Sequence, residues 1–196
     1  MTRDELLDLF RRSGALLEGH FRLTSGLHSP GYLQCALVLQ QPERAGLLGR
    51  AIADATAALG ATVVLSPALG GVVIGHEVGR ALGVRAIFAE RQDGVLTLRR
   101  GFTLSEQDRV LVVEDVVTTG GSTKETIQVA HASGARVVGA ASIVDRSGGA
   151  AHGRVALDVP FHALLSIALP TYEPDACPLC AQGLPVVKPG SRPVLT

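Results

Sequence analysis

The stretch Val110-Leu111-Val112-Val113-Glu114-Asp115-Val116-Val117-Thr118-Thr119-Gly120-Gly121-Ser122-Thr123 decides how this chain folds. Its first four residues are valine or leucine with no polar alternation, which predicts a strand covered on both faces, as in parallel sheets. Whatever follows such a strand lies at its carboxyl end, where open α/β sheets bind ligands. Two adjacent carboxylates stand there. Where the strand runs out into a loop, both can turn toward one ligand and accept from the two hydroxyls of a ribose. Gly120 and Gly121 allow backbone conformations that aim successive N–H groups at one anion, and Ser122 or Thr123 is expected to open a helix whose positive end faces the same point. Carboxylates beside an anion cradle point to a phosphorylated sugar. Lys124 does not make this a nucleotide-triphosphate loop, because the G-x-x-x-x-G-K-[ST] spacing is missing.

Outward from this stretch, strands alternate with helices. Thr62–Ser66 reads as a strand leading through the loop Pro67–Gly71 into a helix that ends near Gly83, and Arg85–Ala89 as the next strand. After the opening stretch a helix over 122–133 stops at Gly134 and returns to strand Val137–Val144. Such alternation predicts an α/β fold with a mostly parallel central sheet flanked by helices. Upstream, Thr2-Arg3-Asp4-Glu5 has capping-box spacing, and Leu6, Leu7 and Phe10 recur at helical intervals, predicting a helix over 3–13. Residues 16–39 are broken by Gly19, Gly26, Pro30 and Gly31 into short extended pieces, and Pro42 opens a helix closed by Gly60.

The polar excursion Glu90–Asp108 exceeds the usual connection between such elements, as lids do, and Val95–Leu98 with Arg99–Phe102 is expected to form a small hairpin within it. Six of the ten prolines fall between Pro170 and Pro193, which predicts an extended C-terminal tail packed onto something.

Composition narrows the functional classes. A chain of 196 residues with 46% apolar residues supports one well-buried core. Its 18 basic and 18 acidic side chains cancel, so it lacks the basic footprint of a nucleic-acid or membrane-surface binder, and 4% aromatics leave little for base-stacking platforms. No segment has the length of a membrane span, the N-terminus lacks signal-peptide layout, and three cysteines argue against a disulfide framework. We expect a cytoplasmic protein with no nucleic-acid or membrane partner.

The run Val112–Thr123 resembles the signature of the type I phosphoribosyltransferases. The resemblance implies that Glu114 and Asp115 hold the ribose hydroxyls of 5-phosphoribosyl 1-diphosphate, and that Val116, Val117, Thr118, Thr119, Gly120, Gly121 and Ser122 form the 5-phosphate loop. Phe21–Tyr32 resembles the N-terminal segment of the orotate phosphoribosyltransferases, and Val144-Asp145-Arg146 their orotate-contacting strand end. That likeness covers nearly all of residues 1–170. It implies a phosphoribosyltransferase domain over 1–170 with a small N-terminal hood mainly from 1–40, a tail over 171–196, and transfer of the phosphoribosyl group to orotate in UMP biosynthesis.

On this reading Arg146, whose guanidinium suits a planar carboxylate and carbonyl edge, contacts orotate together with Thr118 and Thr24. Ala68, Leu69 and Gly70, in the loop after Thr62–Ser66, receive the diphosphate through backbone donors, since the lysine many relatives carry is absent. The lid also departs from the family, whose mobile loop is rich in lysine. Here the only lysines are Lys124 and Lys188, and Arg91 is the favoured diphosphate contact and catalytic residue beside Glu114 and Asp115, with Arg99 or Arg100 as further candidates. The family implies Mg²⁺, held mainly by substrate oxygens near Asp115 with no assigned protein ligand, and a homodimer. Rival readings are a purine or uracil phosphoribosyltransferase, and a non-catalytic regulator that senses the phosphoribosyl substrate.

Cys177-Pro178-Leu179-Cys180 supplies half of a tetrahedral zinc site. Cys35 and six scattered histidines do not reveal the other half, so the motif reads as part of a structural tail unless two such pairs meet in a symmetric dimer. Its setting in a proline-rich tail speaks against redox chemistry.

Overall fold

The computed structural model describes residues 1–23, 25–148 and 157–189. These fall into two compact units, one of Thr2–Val38 with the chain from Ala168 onward, the other of Leu39–Ile167 with Met1.

The first unit begins with α1 (Arg3–Arg12), whose capping box is formed by the Thr2 hydroxyl and the Glu5 side chain. Strands β1 (Leu16–Arg22) and β2 (His28–Leu33) pair antiparallel, and the short helix α2 (Ala36–Leu39) follows. The pairing slips between Glu18 and Phe21, so that Gly19 and His20 face the single residue Pro30. That is a bulge, and it suits a proline that has no N–H to give the ladder.

In the second unit the elements run α3 (Pro42–Thr56), β3 (Val63–Pro67), α4 (Gly70–Leu82), β4 (Arg85–Gln92), β5 (Val95–Leu98), β6 (Arg109–Val117), α5 (Gly121–Ala132), β7 (Arg136–Asp145) and β8 (Phe161–Ser166). They build one six-stranded sheet in the order β5-β4-β3-β6-β7-β8, parallel throughout except for β5 at its edge. Val63, Val64 and Leu65 in β3 and Val110 to Val113 in β6 are fully buried, as unalternated apolar runs require in a sheet covered on both faces. Helix α3 lies close against α4 because Gly49 has no side chain, and a Cβ there would stand 2.6 Å from that of Glu77. Gly60 and Gly83, with φ of 62° and 71°, end their helices in the left-handed conformation expected of them.

Two sequence expectations shift. Val95–Leu98 pairs backward with β4 instead of forward with Arg99–Phe102, because Asp93 and Gly94 both take positive φ and make a two-residue hairpin turn. Much of the expected lid is therefore a sheet-bonded hairpin. The C-terminal segment is not purely extended: a 3-10 turn at Pro174–Ala176 leads into a single helical turn α6 (Pro178–Ala181). It does pack, within the first unit, where Tyr172 bridges to His28 and Val187 to Phe21. Among the described residues no helix is long and apolar enough to cross a membrane.

Candidate active site

Strand β6 runs past its apolar run to Val117, so Glu114 and Asp115 lie inside the strand and not in a loop beyond it. The ladder with β7 continues through Glu114–Ser142, Val116–Val144 and Val117–Asp145, and the Arg146 N–H donates to the Val117 carbonyl at 2.7 Å. The carboxylates consequently point to different neighbours instead of turning together. Glu114 reaches α5, where the Thr123 hydroxyl donates to its Oε2. Asp115 packs on α4, where a Cβ on Gly70 would stand 2.6 Å from Oδ1, and the same oxygen accepts the Val116 N–H at 2.9 Å.

Both acids are costly to ionise. Burial pushes the Glu114 carboxyl up from its ordinary 4.5 to about 7; the Thr123 hydroxyl opposes this and the neighbouring Asp115 charge adds to it. Burial also raises Asp115, against the pull of the Val116 N–H. Hydroxyl donors or a cation arriving from a ligand would relieve both.

The loop Thr118–Gly120 connects β6 to α5. Gly120, at φ 75°, caps the helix, which starts at Gly121, one to two residues earlier than the hydroxyl side chains suggested. The first amide to close the helical ladder is that of Lys124, onto the Gly120 carbonyl at 2.9 Å. The amides of Gly121, Ser122 and Thr123 thus stand at the positive end of a twelve-residue helix, an arrangement suited to a phosphate. Thr118 and Thr119 are exposed beside them. Thr123, expected from the sequence only as a helix opener, is 1% exposed and holds Glu114. Its signal was the spacing, three residues after the capping glycine, which turns its side chain back under the strand end.

A second loop opens from β3. The Ala68 N–H donates to the Ala89 carbonyl at 2.8 Å, the Ala68–Leu69 peptide is cis, and Leu69 is 88% exposed at the start of α4. Gly71 lets α4 sit on β6, since a Cβ there would stand 2.9 Å from the Val113 carbonyl oxygen. Gly70→Ala is expected to push the Asp115 carboxylate aside and lower kcat/KM for a substrate held by that carboxylate by about 10-fold or more; steady-state kinetics will read it.

Arg91 and Arg100 already have partners. Arg91 donates to the Gly94 carbonyl at 2.6 Å and pairs with Glu125 of α5 at 2.9 Å. Arg100 pairs with Glu90 at 2.6 Å and lies 5.8 Å from the centre of the Phe88 ring, whereas Arg99 is exposed. Arg146, half-buried, follows β7 directly and is tied by its backbone to the start of the 118–122 loop. The Asp145 carboxylate accepts the Ser147 N–H at 2.8 Å. Thr24 lies outside the described residues.

The comparisons with known proteins settle the family. Residues 38–156 match the phosphoribosyl transferase domain, and the chain is 54% identical over 194 residues to the orotate phosphoribosyltransferase of Pelotomaculum thermopropionicum, covering 99% of this chain and 100% of that one. This chain belongs to the orotate phosphoribosyltransferase family. A second member, from Chlorobium phaeobacteroides strain BS1, is 52% identical over 196 residues, the whole of both chains. Among solved structures, the orotate phosphoribosyltransferase of Mycobacterium tuberculosis H37Rv, crystallised with 5-phospho-α-D-ribosyl 1-diphosphate, superposes with a TM-score of 0.66 at 29% identity, over 84% of this chain and 95% of that one. The central sheet and its flanking helices are thus the orotate phosphoribosyltransferase scaffold.

Proposed function

We propose that this chain transfers the phosphoribosyl group of 5-phosphoribosyl 1-diphosphate to N1 of orotate, giving orotidine 5′-monophosphate and diphosphate on the way to UMP. The observation that carries the reading is the meeting, at the carboxyl ends of β6 and β7, of two half-buried carboxylates, a helix N-terminus and an arginine, in a chain that matches the family end to end. In the reaction the C1–O bond to diphosphate breaks, the C1–N1 bond forms and the N1 proton is released. Positive charge grows on the ribose ring and negative charge on the leaving group, so the task is positioning and electrostatic stabilisation, with no covalent nucleophile.

Glu114 and Asp115 accept from the ribose hydroxyls, which draws both toward their ionised forms. The amides and hydroxyls of 118–122 hold the 5-phosphate. The backbone of Ala68–Gly70 meets the diphosphate, joined by Arg91 once it exchanges Glu125 for phosphate oxygens. Arg146 and Thr118 face orotate. The site offers hard oxygen donors, which fit Mg²⁺; substrate oxygens would carry most of its shell, with Asp115 as the available carboxylate, and the ion would offset charge on the diphosphate. Movement of the Asp93-Gly94 tip of the β4–β5 hairpin would exclude water from the activated sugar. A cytoplasmic homodimer completes the reading, and light scattering in solution reads its mass.

The experiment is orotate consumption, followed at its ultraviolet band, with the phosphoribosyl substrate and Mg²⁺. Turnover with orotate, and none with adenine, guanine or uracil, is expected. Turnover of a purine or uracil in preference to orotate would move the assignment to another branch of the fold, and no turnover would end it.

A further inference from the structure

Four side chains outside this site converge within the first unit. His20 and His28 come from the β1–β2 hairpin, Cys177 and Cys180 from the C-terminal segment, and their ligand atoms all lie within 4.8 Å of one another. His20 Nε2 stands 2.9 Å from His28 Nδ1, 3.6 Å from Cys177 Sγ and 3.7 Å from Cys180 Sγ, and Cys180 Sγ stands 3.3 Å from His28 Nδ1. A zinc ion with bonds of about 2.0–2.3 Å spaces tetrahedral ligand atoms about 3.3–3.8 Å apart. Three of these four distances lie in that range, and the His20–His28 distance is shorter.

We propose that His20, His28, Cys177 and Cys180 hold one zinc ion that ties the N-terminal hairpin to the C-terminal segment. The geometry around the ligands supports this. His20 Nδ1 lies 2.8 Å from the Leu184 carbonyl, an acceptor that fixes the proton on Nδ1 and leaves the Nε2 lone pair facing the cluster, as the outer partner of a zinc-bound imidazole does. The bulge at Gly19-His20 gives that imidazole its aim. On the other side, Cys177 caps α6 and the chain turns back at Gly183, at φ 70°, so that both thiols of the C-x-x-C face one point. His20, His28 and Cys177 are 4%, 7% and 3% exposed, and Cys180 is exposed, which leaves a path for the ion.

Two sulfurs and two imidazoles select zinc over Mg²⁺, and four protein ligands leave no open position for catalysis, so the site is structural. Its consequence is topological. Hairpin and C-x-x-C are separated by roughly 150 residues, and a metal clip closing so long a loop constrains the unfolded chain strongly.

The test uses the untagged full-length protein from zinc-supplemented medium. We expect one zinc per chain by elemental analysis, loss of at least nine-tenths of it in Cys177→Ser/Cys180→Ser, and a melting temperature that falls on chelation and recovers with Zn²⁺ but not Mg²⁺. Should the double variant fail to fold, cobalt replacement in the wild type decides. Visible absorption of tetrahedral Co²⁺ with a near-ultraviolet thiolate-to-cobalt band supports the site. A wild type without zinc and without that band, or a folded double variant that keeps its zinc, overturns it.

Discussion

Glu114→Gln is expected to lower kcat/KM by about 100-fold while making the protein more stable above pH 7. The two effects have one cause. In the folded protein the carboxyl titrates near 7, against 4.5 ordinarily, so between these values the native state holds a proton that the unfolded chain has released. Stability contributed at this position therefore falls as pH rises from 4.5 to about 7 and stays low above it. Glutamine keeps the acceptor for Thr123 and removes the charge. A lift of this size corresponds to about 3 kcal/mol, and partial solvent access brings the expected gain to about 1–3 kcal/mol at pH 8, with none below the ordinary value. For a chain of this length each kcal/mol raises the melting temperature by about 2–4 °C. Calorimetry of both proteins from pH 4.5 to pH 8 will measure it, and a variant less stable than wild type at pH 8 would refute the account. Activity moves oppositely, because an ionised carboxylate binds a hydroxyl by about 1.5–3 kcal/mol. In the wild type kcat/KM for the phosphoribosyl substrate should rise with pH through about 7 as Glu114 ionises, and in Glu114→Gln that rise should vanish.

Arg146→Ala is expected to lower kcat/KM for orotate by about 100-fold, leaving the KM for the phosphoribosyl substrate within a few-fold. A guanidinium paired with a carboxylate in two parallel hydrogen bonds is worth more than neutral contacts, and alanine would leave the base's negative edge without its partner. The sugar side survives because the backbone N–H of residue 146 still donates to the Val117 carbonyl whatever side chain it carries. Arg146→Lys should recover only part of the loss, since an ammonium lacks the planar fork. Kinetics with each substrate varied in turn will separate the two effects; full activity in Arg146→Ala would remove this residue from the orotate site.

Local chemistry was legible in the sequence, and long-range pairing was not. The capping box at Thr2, the helix stops at Gly60 and Gly83, and the buried runs of β3 and β6 each follow from a few neighbouring residues, and all stand in the structure. The end of β6 was misread because Glu114-Asp115 looks like a loop by polarity, while the ladder to β7 carries the strand on to Val117. The hold of Thr123 on Glu114 was not legible because the two lie across a turn. The companions of Cys177 and Cys180 were hidden by roughly 150 residues of intervening chain and by a bulge that no residue pattern announces.

The division of labour between two neighbouring strands has a practical side. In the proposed assignment the grips on the sugar and its phosphate hang from β6 and the start of α5, whereas Arg146, proposed to read the base, directly follows β7, and the two are joined by a main-chain bond indifferent to side chains. Base choice is therefore an interchangeable part. A protein engineer wanting another nucleobase on this scaffold should diversify positions 146–148 together with Thr118 and leave the rest of 114–123 alone, and drift along that same path is the cheapest route by which one ancestral sugar-transfer core could come to serve many bases.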